Sequence, residues 1–380
     1  MMMIYGDGDI AVVDCDDDDD DETQITPAAF LRRIETPCAY TAMRCEFMNT
    51  NDEKVIVKTE RIDFHAKRVF ASLSEEKRSG SLFENDWQKC RDALEKVTRT
   101  AFLNRSAFVK KGRYMATIAI EDDRDEKKMN VHALLTPLTT TRKDEKKGDE
   151  EMAALDRYAL LRGMPRERPH AKHTEWVKKR EGLEIERNEW NAREDVKETR
   201  RKRRFVECLL SKRTTGSGSA LQEEDFQICE GLTTNVFVLK RDDAHSNSGG
   251  GSSGSSSGGL ILQTAPDADV LLGVARRAIL DAFPFSKNDS EDDAKIRLSL
   301  THPLWSERET WIALFTVNCV VGAKIYHGIV NSYTGEEVNF PPLPIFKEGL
   351  EGRDKGLSFL FRTAFSSSSQ KSSFPFDLFE

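Results

Sequence analysis

Lys172 in HAKHTEW (170–176), Glu230 in QICEGLTTNVFVL (227–239) and the turn at Gly273 in QTAPDADVLLGVARRAIL (263–280) are positions where this chain could do chemistry. A lysine amine condenses with a carbonyl and can then carry a proton as a general base. Glu230 ends an apolar strand and precedes Gly231, a turn and a second strand, a pattern that carries its carboxylate inward, where it would meet a cationic group. Leu272, Gly273, Val274 and Ala275 stand just before an amphipathic run. Backbone N–H groups at the start of such a helix point at an anion, and a glycine lets that anion come close. Arg68, in DFHAKR, offers a guanidinium of the kind that clamps phosphate. Taken singly, each has an ordinary reading: a surface lysine, a solvated strand-end acid, a glycine before a helix, a solvated helical arginine.

These residues need elements to position them. Alternating stretches VIVKT (55–59) and RYMATIAI (113–120) predict strands. Trp87, Cys90, Leu94, Val97 and Ala101 recur at helical spacing, and DFHAKRVFASLSEEK (63–77) predicts a second helix with Asp63 as its N-cap. Further on, HTEWVKKREGLEIERNEW predicts helix, RFVECLL (204–210), DFQIC (225–229) and TNVFVLK (234–240) predict strands, and LLGVARRAILDAF (271–283) predicts a helix. SNSGGGSSGSSSGG (246–259) joins two apolar strands and reads as a flexible surface insertion, which loop-closure entropy tolerates at modest cost.

The chain of 380 residues is long for one core, and two domains are expected. The divisions are an acidic tail at 1–29, an N-terminal α/β domain at 30–137, a charged connection at 138–169, a C-terminal domain at 170–345 and a tail at 346–380. Residues 14–22 are almost all acidic and cannot bury a core, so a solvated tail is expected there. No apolar run approaches a membrane span, and the N-terminus lacks both a secretory and a transit-peptide pattern, so the expectation is a cytoplasmic protein without membrane contact. The net charge of -8 disfavours general affinity for nucleic acid. The run KETRRKRR (197–204) has no interleaved aromatics and reads as a solvated insertion. The 7 cysteines form no CxxC pair, and His65, His132, His170, His173, His302 and His327 lack metal-ligand spacing, so no metal is expected and the thiols read as buried and free.

Together, FHAKR (64–68), HAKHTEW, CEGLTTNVFVL, TAPDADVLLGVARRAIL and LWSERETWIALFTVNCVVGA (304–323) resemble the class-IV, or fold-type IV, pyridoxal-phosphate family, which includes branched-chain and D-amino-acid aminotransferases and aminodeoxychorismate lyase. The plant and algal branched-chain-aminotransferase-like members are the most similar. The resemblance spans roughly 36–330. It implies an α+β fold of the D-amino-acid aminotransferase type, with a small α/β N-terminal domain, a strand-rich pseudo-barrel C-terminal domain, and pyridoxal 5'-phosphate held between them. It also implies a homodimer acting on an amino acid and a keto acid. Lys172 would be the catalytic cofactor lysine, Glu230 the acid at the pyridine nitrogen, Arg68 the phosphate arginine, and Gly273, Val274 and Ala275 the phosphate turn. Tyr40, Arg44, Asn318 and Cys319 would face the substrate.

The chain departs from the family at instructive points. Where many members place a tyrosine after the lysine, Trp176 and Val177 stand here; Ala275 replaces a common hydroxyl residue, and the later small-residue loop reads Val317, Asn318, Cys319. Backbone donors survive such changes and side-chain donors do not. A transaminase, a lyase that expels a group from the substrate side chain, and a non-catalytic scaffold keeping the fold are therefore the readings that stay open.

Overall fold

The computed structural model describes residues 2–6, 9–13, 25–49, 55–73, 86–104, 111–123, 128–138, 156–195, 203–214, 225–242, 259–282, 296–320 and 322–340. The acidic run at 14–22, nearly all of the Gly/Ser insertion and both expected C-terminal tail boundaries lie outside them. The chain divides into two compact units, one formed by Met1–Glu150 with Arg168–Glu181, the other by Glu151–Glu167 with Gly182–Glu380.

In the first unit, β1 (Met2–Gly6), β2 (Asp9–Val13), β3 (Ala39–Asn49), β4 (Val55–Thr59), β5 (Gly112–Asp123) and β6 (Lys128–Pro137) form one antiparallel sheet in the order β2-β1-β6-β5-β3-β4. Its core follows from strict alternation: Met43, Cys45 and Phe47 of β3, Ala116, Ile118 and Ile120 of β5, and Val131, Ala133 and Leu135 of β6 bury one face. Against that face lie α2 (Ile62–Ser72) and α3 (Trp87–Asn104), the latter through Cys90, Leu94, Val97 and Ala101, the spacing read from the sequence. Two more helices among the described residues, α1 (Pro27–Arg33) and α4 (Thr174–Lys179), meet in a smaller cluster of Leu31, Ile34, Cys38, Tyr40, Ala119 and Val177.

Two details of α2 differ from expectation. Its N-cap is Arg61, in the left-handed region at φ 50, because the chain turns straight out of β4 into the helix. Asp63 therefore falls inside the first turn, where its carboxylate accepts Arg91 Nε at 2.6 Å. The helix ends at Ser72, before the extended Leu73; 74–77 lie outside the described residues.

The second unit is built on a ten-stranded sheet. Its strands are β7 (Asp156–Leu161), β8 (Arg203–Thr214), β9 (Asp225–Gly231), β10 (Asn235–Arg241), β11 (Leu260–Gln263), β12 (Ile296–Ser299), β13 (Trp311–Asn318), β14 (Gly322–Tyr326), β15 (Gly328–Asn331) and β16 (Glu337–Asn339). They run in the order β12-β11-β10-β9-β8-β7-β15-β16, with β13 joining β10 to β14. The helices are α5 (Glu181–Asp195) and α6 (Val274–Ala282). β10 explains why NVFVL is continuously apolar. Phe237 and Leu239 pack with Ala275, Ala278 and Ile279 of α6, while Val236 and Val238 enter a core with Leu209, Ile228, Leu314 and Ile329. A strand covered on both faces has no polar side to show.

The expected divisions differ from this arrangement. β7 lies within 138–169, read from its charges as a connection, because the apolar YALL at its end pairs in parallel with both β8 and β15. Residues 168–181, with Lys172, group with the first unit. Only Arg203 and Arg204 of the basic run are described, and there the chain already forms β8, with Arg203 Nη1 2.6 Å from Glu337 Oε2. No helix among the described residues is long and apolar enough to cross a membrane.

Candidate functional site

In the first unit, the segment around Lys172 lies along the start of β3. Tyr40 N donates to Lys172 O at 2.9 Å, Thr174 N to Cys38 O at 3.0 Å, and Ala39 bridges His173. On its other side Lys172 N donates to Ser72 Oγ at 3.0 Å, and the same hydroxyl donates to Arg68 O at 2.8 Å. Ser72 thus ties Lys172 to Arg68 across 100 residues of sequence. The amine stands over the ring of Tyr40, 5.0 Å from its centroid, a cation–π distance.

Arg68 is buried at 6% exposure, and its Nη2 donates to Thr41 Oγ1 at 2.8 Å, with His65 Nδ1 at 3.2 Å. Thr41 Oγ1 also lies 2.8 Å from His65 Nδ1. With its oxygen accepting from Arg68, Thr41 is placed to donate to Nδ1, which requires a neutral imidazole protonated at Nε2. Burial holds His65 well below the ordinary histidine range, and the charges of Arg68, Lys172 and Arg61 push the same way. Arg44 shares the Tyr40 face of β3 by its even spacing; its charge falls on Glu60, whose acidity burial weakens, so a substrate carboxylate would compete with an internal one.

In the second unit, Glu230 is 1% exposed at the end of β9. Its Oε1 lies 3.0 Å from Arg166 Nε, and its Oε2 accepts Leu271 N at 3.1 Å. Arg166, itself buried, also donates from Nη2 to Leu232 O at 3.2 Å. Burial raises the Glu230 pKa, Arg166 and the Leu271 amide oppose that rise, and nearby Glu207 adds to it. The phosphate turn expected at Gly273 is next door: Asn235, ladder partner of Glu230, donates from Nδ2 to Leu271 O at 2.8 Å. A Cβ on Gly273 would collide with the Asn235 side chain, so close packing against Asn235 already requires a glycine there. Val274 and Ala275 open α6 and are buried; the N–H groups of a first helical turn have no partner within the helix. Asn318 follows Val317, which pairs with Asn235, and its Oδ1 caps the turn by accepting Val320 N at 2.9 Å; Cys319 is half-buried in that turn.

Several residues of these clusters escaped the sequence reading: His65, Thr41 and Ser72 in the first unit, Arg166, Glu207 and Asn235 in the second. Glu207 is the most telling. Its Oε1 accepts Leu232 N at 3.2 Å and Cys208 N at 3.1 Å, and its Oε2 accepts Thr234 Oγ1 at 2.9 Å. A Cβ on Gly231 would collide with Thr234 Oγ1 and reach 2.9 Å from Glu207 Cδ, which explains the Glu-Gly pair in QICEGLTT. A charged residue inside the apolar strand RFVECLL was the signal that could have found it.

In chemistry the donors fit pyridoxal phosphate. The first unit carries an amine and a buried guanidinium, the second a buried carboxylate and the start of a helix, and these are the group types that an aldehyde, a phosphate and a ring nitrogen call for. The carboxylate can accept about four hydrogen bonds, so its contacts with Arg166 and Leu271 leave room for a ring N–H. Among the described residues no cluster of histidine, cysteine, aspartate or glutamate could hold a metal ion.

No protein-family model and no curated protein sequence matches the chain. Solved structures do. A hypothetical aminotransferase from Mycobacterium tuberculosis is similar in its apo form at TM-score 0.52 and 12% identity, covering 97% of this chain and 100% of that chain. Its PLP-bound form gives TM-score 0.51 at 12% identity with the same coverage. The branched-chain amino acid aminotransferase of Escherichia coli is similar at TM-score 0.50 and 13% identity, covering 98% of this chain and 97% of that chain. The fold of this chain, mixed helix and sheet with a strand-rich second part, is that of the fold-type IV aminotransferases.

Proposed function

We propose that the chain is a pyridoxal-phosphate-dependent aminotransferase acting on an amino acid of the branched-chain or D-amino-acid type. The observation that carries this reading is the Ser72 link, through one hydroxyl, between the main chains of Lys172 and Arg68, the residues that bear the expected amine and the expected phosphate cation. The fold agrees with it.

When bound, pyridoxal phosphate supplies an electron sink for the bond that breaks at the substrate Cα. The chain's own residues do the rest. Lys172 Nζ holds the cofactor, then takes the Cα proton and returns it on the other side of the transfer. Glu230 accepts the proton-bearing ring nitrogen as a hydrogen-bond donor and keeps it protonated. Arg68 and the first N–H groups of α6, from Gly273 to Ala275, hold the phosphate. Tyr40, Arg44, Asn318 and Cys319 face the substrate. The reading includes a likeness to the plant and algal members, a homodimer as the family implies, and a cytoplasmic location, in keeping with the buried free thiols.

The purified protein, supplied with pyridoxal phosphate, is expected to turn yellow, and borohydride reduction followed by peptide mapping should place the added mass on Lys172. Lys172→Ala should abolish both. Amino-acid panels then separate a transaminase, which releases a keto acid and leaves the amino group on the cofactor, from a lyase, which expels a side-chain group. A non-catalytic scaffold is the second reading. In its favour, Glu230 already has a cation and a backbone amide beside it in Arg166 and Leu271; a colourless protein that takes up no cofactor would establish it.

A further inference from the structure

Arg166 is a buried cation beside Glu230. Its Nε faces Glu230 Oε1 at 3.0 Å, and its Nη2 donates to Leu232 O at 3.2 Å, two residues after Glu230. The side chains of the pair are 5% and 1% exposed, so solvent does not screen them. Other charged or titratable groups around Glu230 come from the packed elements: Glu207 on β8, Arg276 at the start of α6 and the neutral thiol of Cys229 on its own strand. Arg276, however, is committed elsewhere, with Nη1 2.5 Å from Asp267 Oδ1 and Nη2 donating to Ala265 O at 2.8 Å. Glu207 is a second buried acid and opposes ionisation of Glu230. Arg166 therefore stands as the cation that contacts Glu230 directly.

We infer that Arg166 is a positioning residue of the proposed cofactor site: it fixes the Glu230 carboxylate in place as an anion, so that Glu230 can keep a ring nitrogen protonated. This rests on the reading of Glu230 given above. Without Arg166, burial and Glu207 act unopposed by their nearest cation and leave Glu230 readier to take up a proton, and a protonated acid no longer favours a cationic ring. The arginine also precedes Lys172 by only six positions in the chain, so one short segment carries both the proposed amine and the cation that sets its partner acid.

The test is a titration of pyridoxal phosphate into the parent, Arg166→Lys, Arg166→Met and Glu230→Gln across a range of pH, with circular dichroism to confirm folding. Arg166→Lys, which keeps the charge, should bind within a few-fold of the parent. Arg166→Met should bind about tenfold more weakly at neutral pH and recover as pH rises, with its acid limb displaced upward by about one unit. Glu230→Gln should bind weakly at every pH. If Arg166→Met binds like the parent, or loses the same factor at all pH values, Arg166 is a structural clamp and the inference fails. If Arg166→Met does not fold, the same comparison is made in Arg166→Lys against Arg166→Gln; a flat ratio overturns it there. Should the parent itself take up no cofactor, the reading of the site and this assignment fall together, whereas uptake by the parent with a flat Arg166→Met profile sinks the assignment alone.

Discussion

Two polar clusters, one in each unit, are held by different electrostatic means. Around Ser72 the buried charge is a cation, Arg68, which donates to Thr41 and faces the neutral His65. Around Glu230 two acids are buried, Glu230 and Glu207; one is held by an ion pair with Arg166 and a backbone amide, the other by amides and a hydroxyl. The cation keeps its charge in either surrounding because arginine does not deprotonate in proteins. The acids do not have that security. Their ionisation depends on how completely the fold supplies donors, and this makes the Glu230 cluster the more sensitive of the two to single polar substitutions.

The largest effect expected from this contrast is at the ion pair. Arg166→Met leaves a buried carboxylate without its cation and should cost about 3–5 kcal/mol of stability, while Arg166→Met with Glu230→Gln should recover much of that loss. Urea unfolding of the two variants checks it, and equal losses would show that the pair is not the source. Next in size is Gly231→Ala, where the added Cβ strikes Thr234 and Glu207 and should cost about 1–3 kcal/mol. Gly182→Ala is its control, since a Cβ there meets nothing within 4 Å in α5 and should stabilise by about 0.5–1 kcal/mol.

The first unit makes a prediction of opposite sign with pH. His65 is held neutral in the fold but protonates near pH 6.5 when unfolded, so the unfolded chain binds the extra proton as pH falls below that value. The contribution of His65 is therefore fully present above about pH 6.5 and is lost on acidification. His65→Gln should flatten that acid slope in a melting-temperature series, and an unchanged slope would contradict the neutral imidazole. Glu230 runs the other way: its raised pKa contributes stability at low pH that fades as pH rises from 4.5 through the folded-state value. The smallest effect is kinetic. Burial pushes the thiols of Cys45, Cys90, Cys208 and Cys229 up to about 12, so alkylation mapped by peptide mass should reach half-buried Cys319 well before them.

What was legible in the sequence follows the same division. The core of the first unit could be read because β3, β5 and β6 alternate and α3 repeats Cys90, Leu94, Val97 and Ala101 on one side. β10 could be read as a strand from its apolar run, though which of its faces met α6 could not. The polar clusters resisted because their members are distant in sequence and ordinary in kind: Ser72 with Lys172, Asn235 with Leu271, Arg166 with Glu230. Periodicity records burial, and carries no record of which buried donor meets which acceptor. Gly273 shows the limit from the other side, since its glycine is demanded by Asn235 whether or not an anion ever comes near.

The main chain of Lys172 is strapped on two sides, its carbonyl receiving Tyr40 N and its amide given to Ser72 Oγ. A residue bound in that way is a post with a swinging arm: the base stays where it is, and only rotation about four carbon–carbon bonds redirects the nitrogen. The reach of this amine is then set by side-chain rotation about a fixed base.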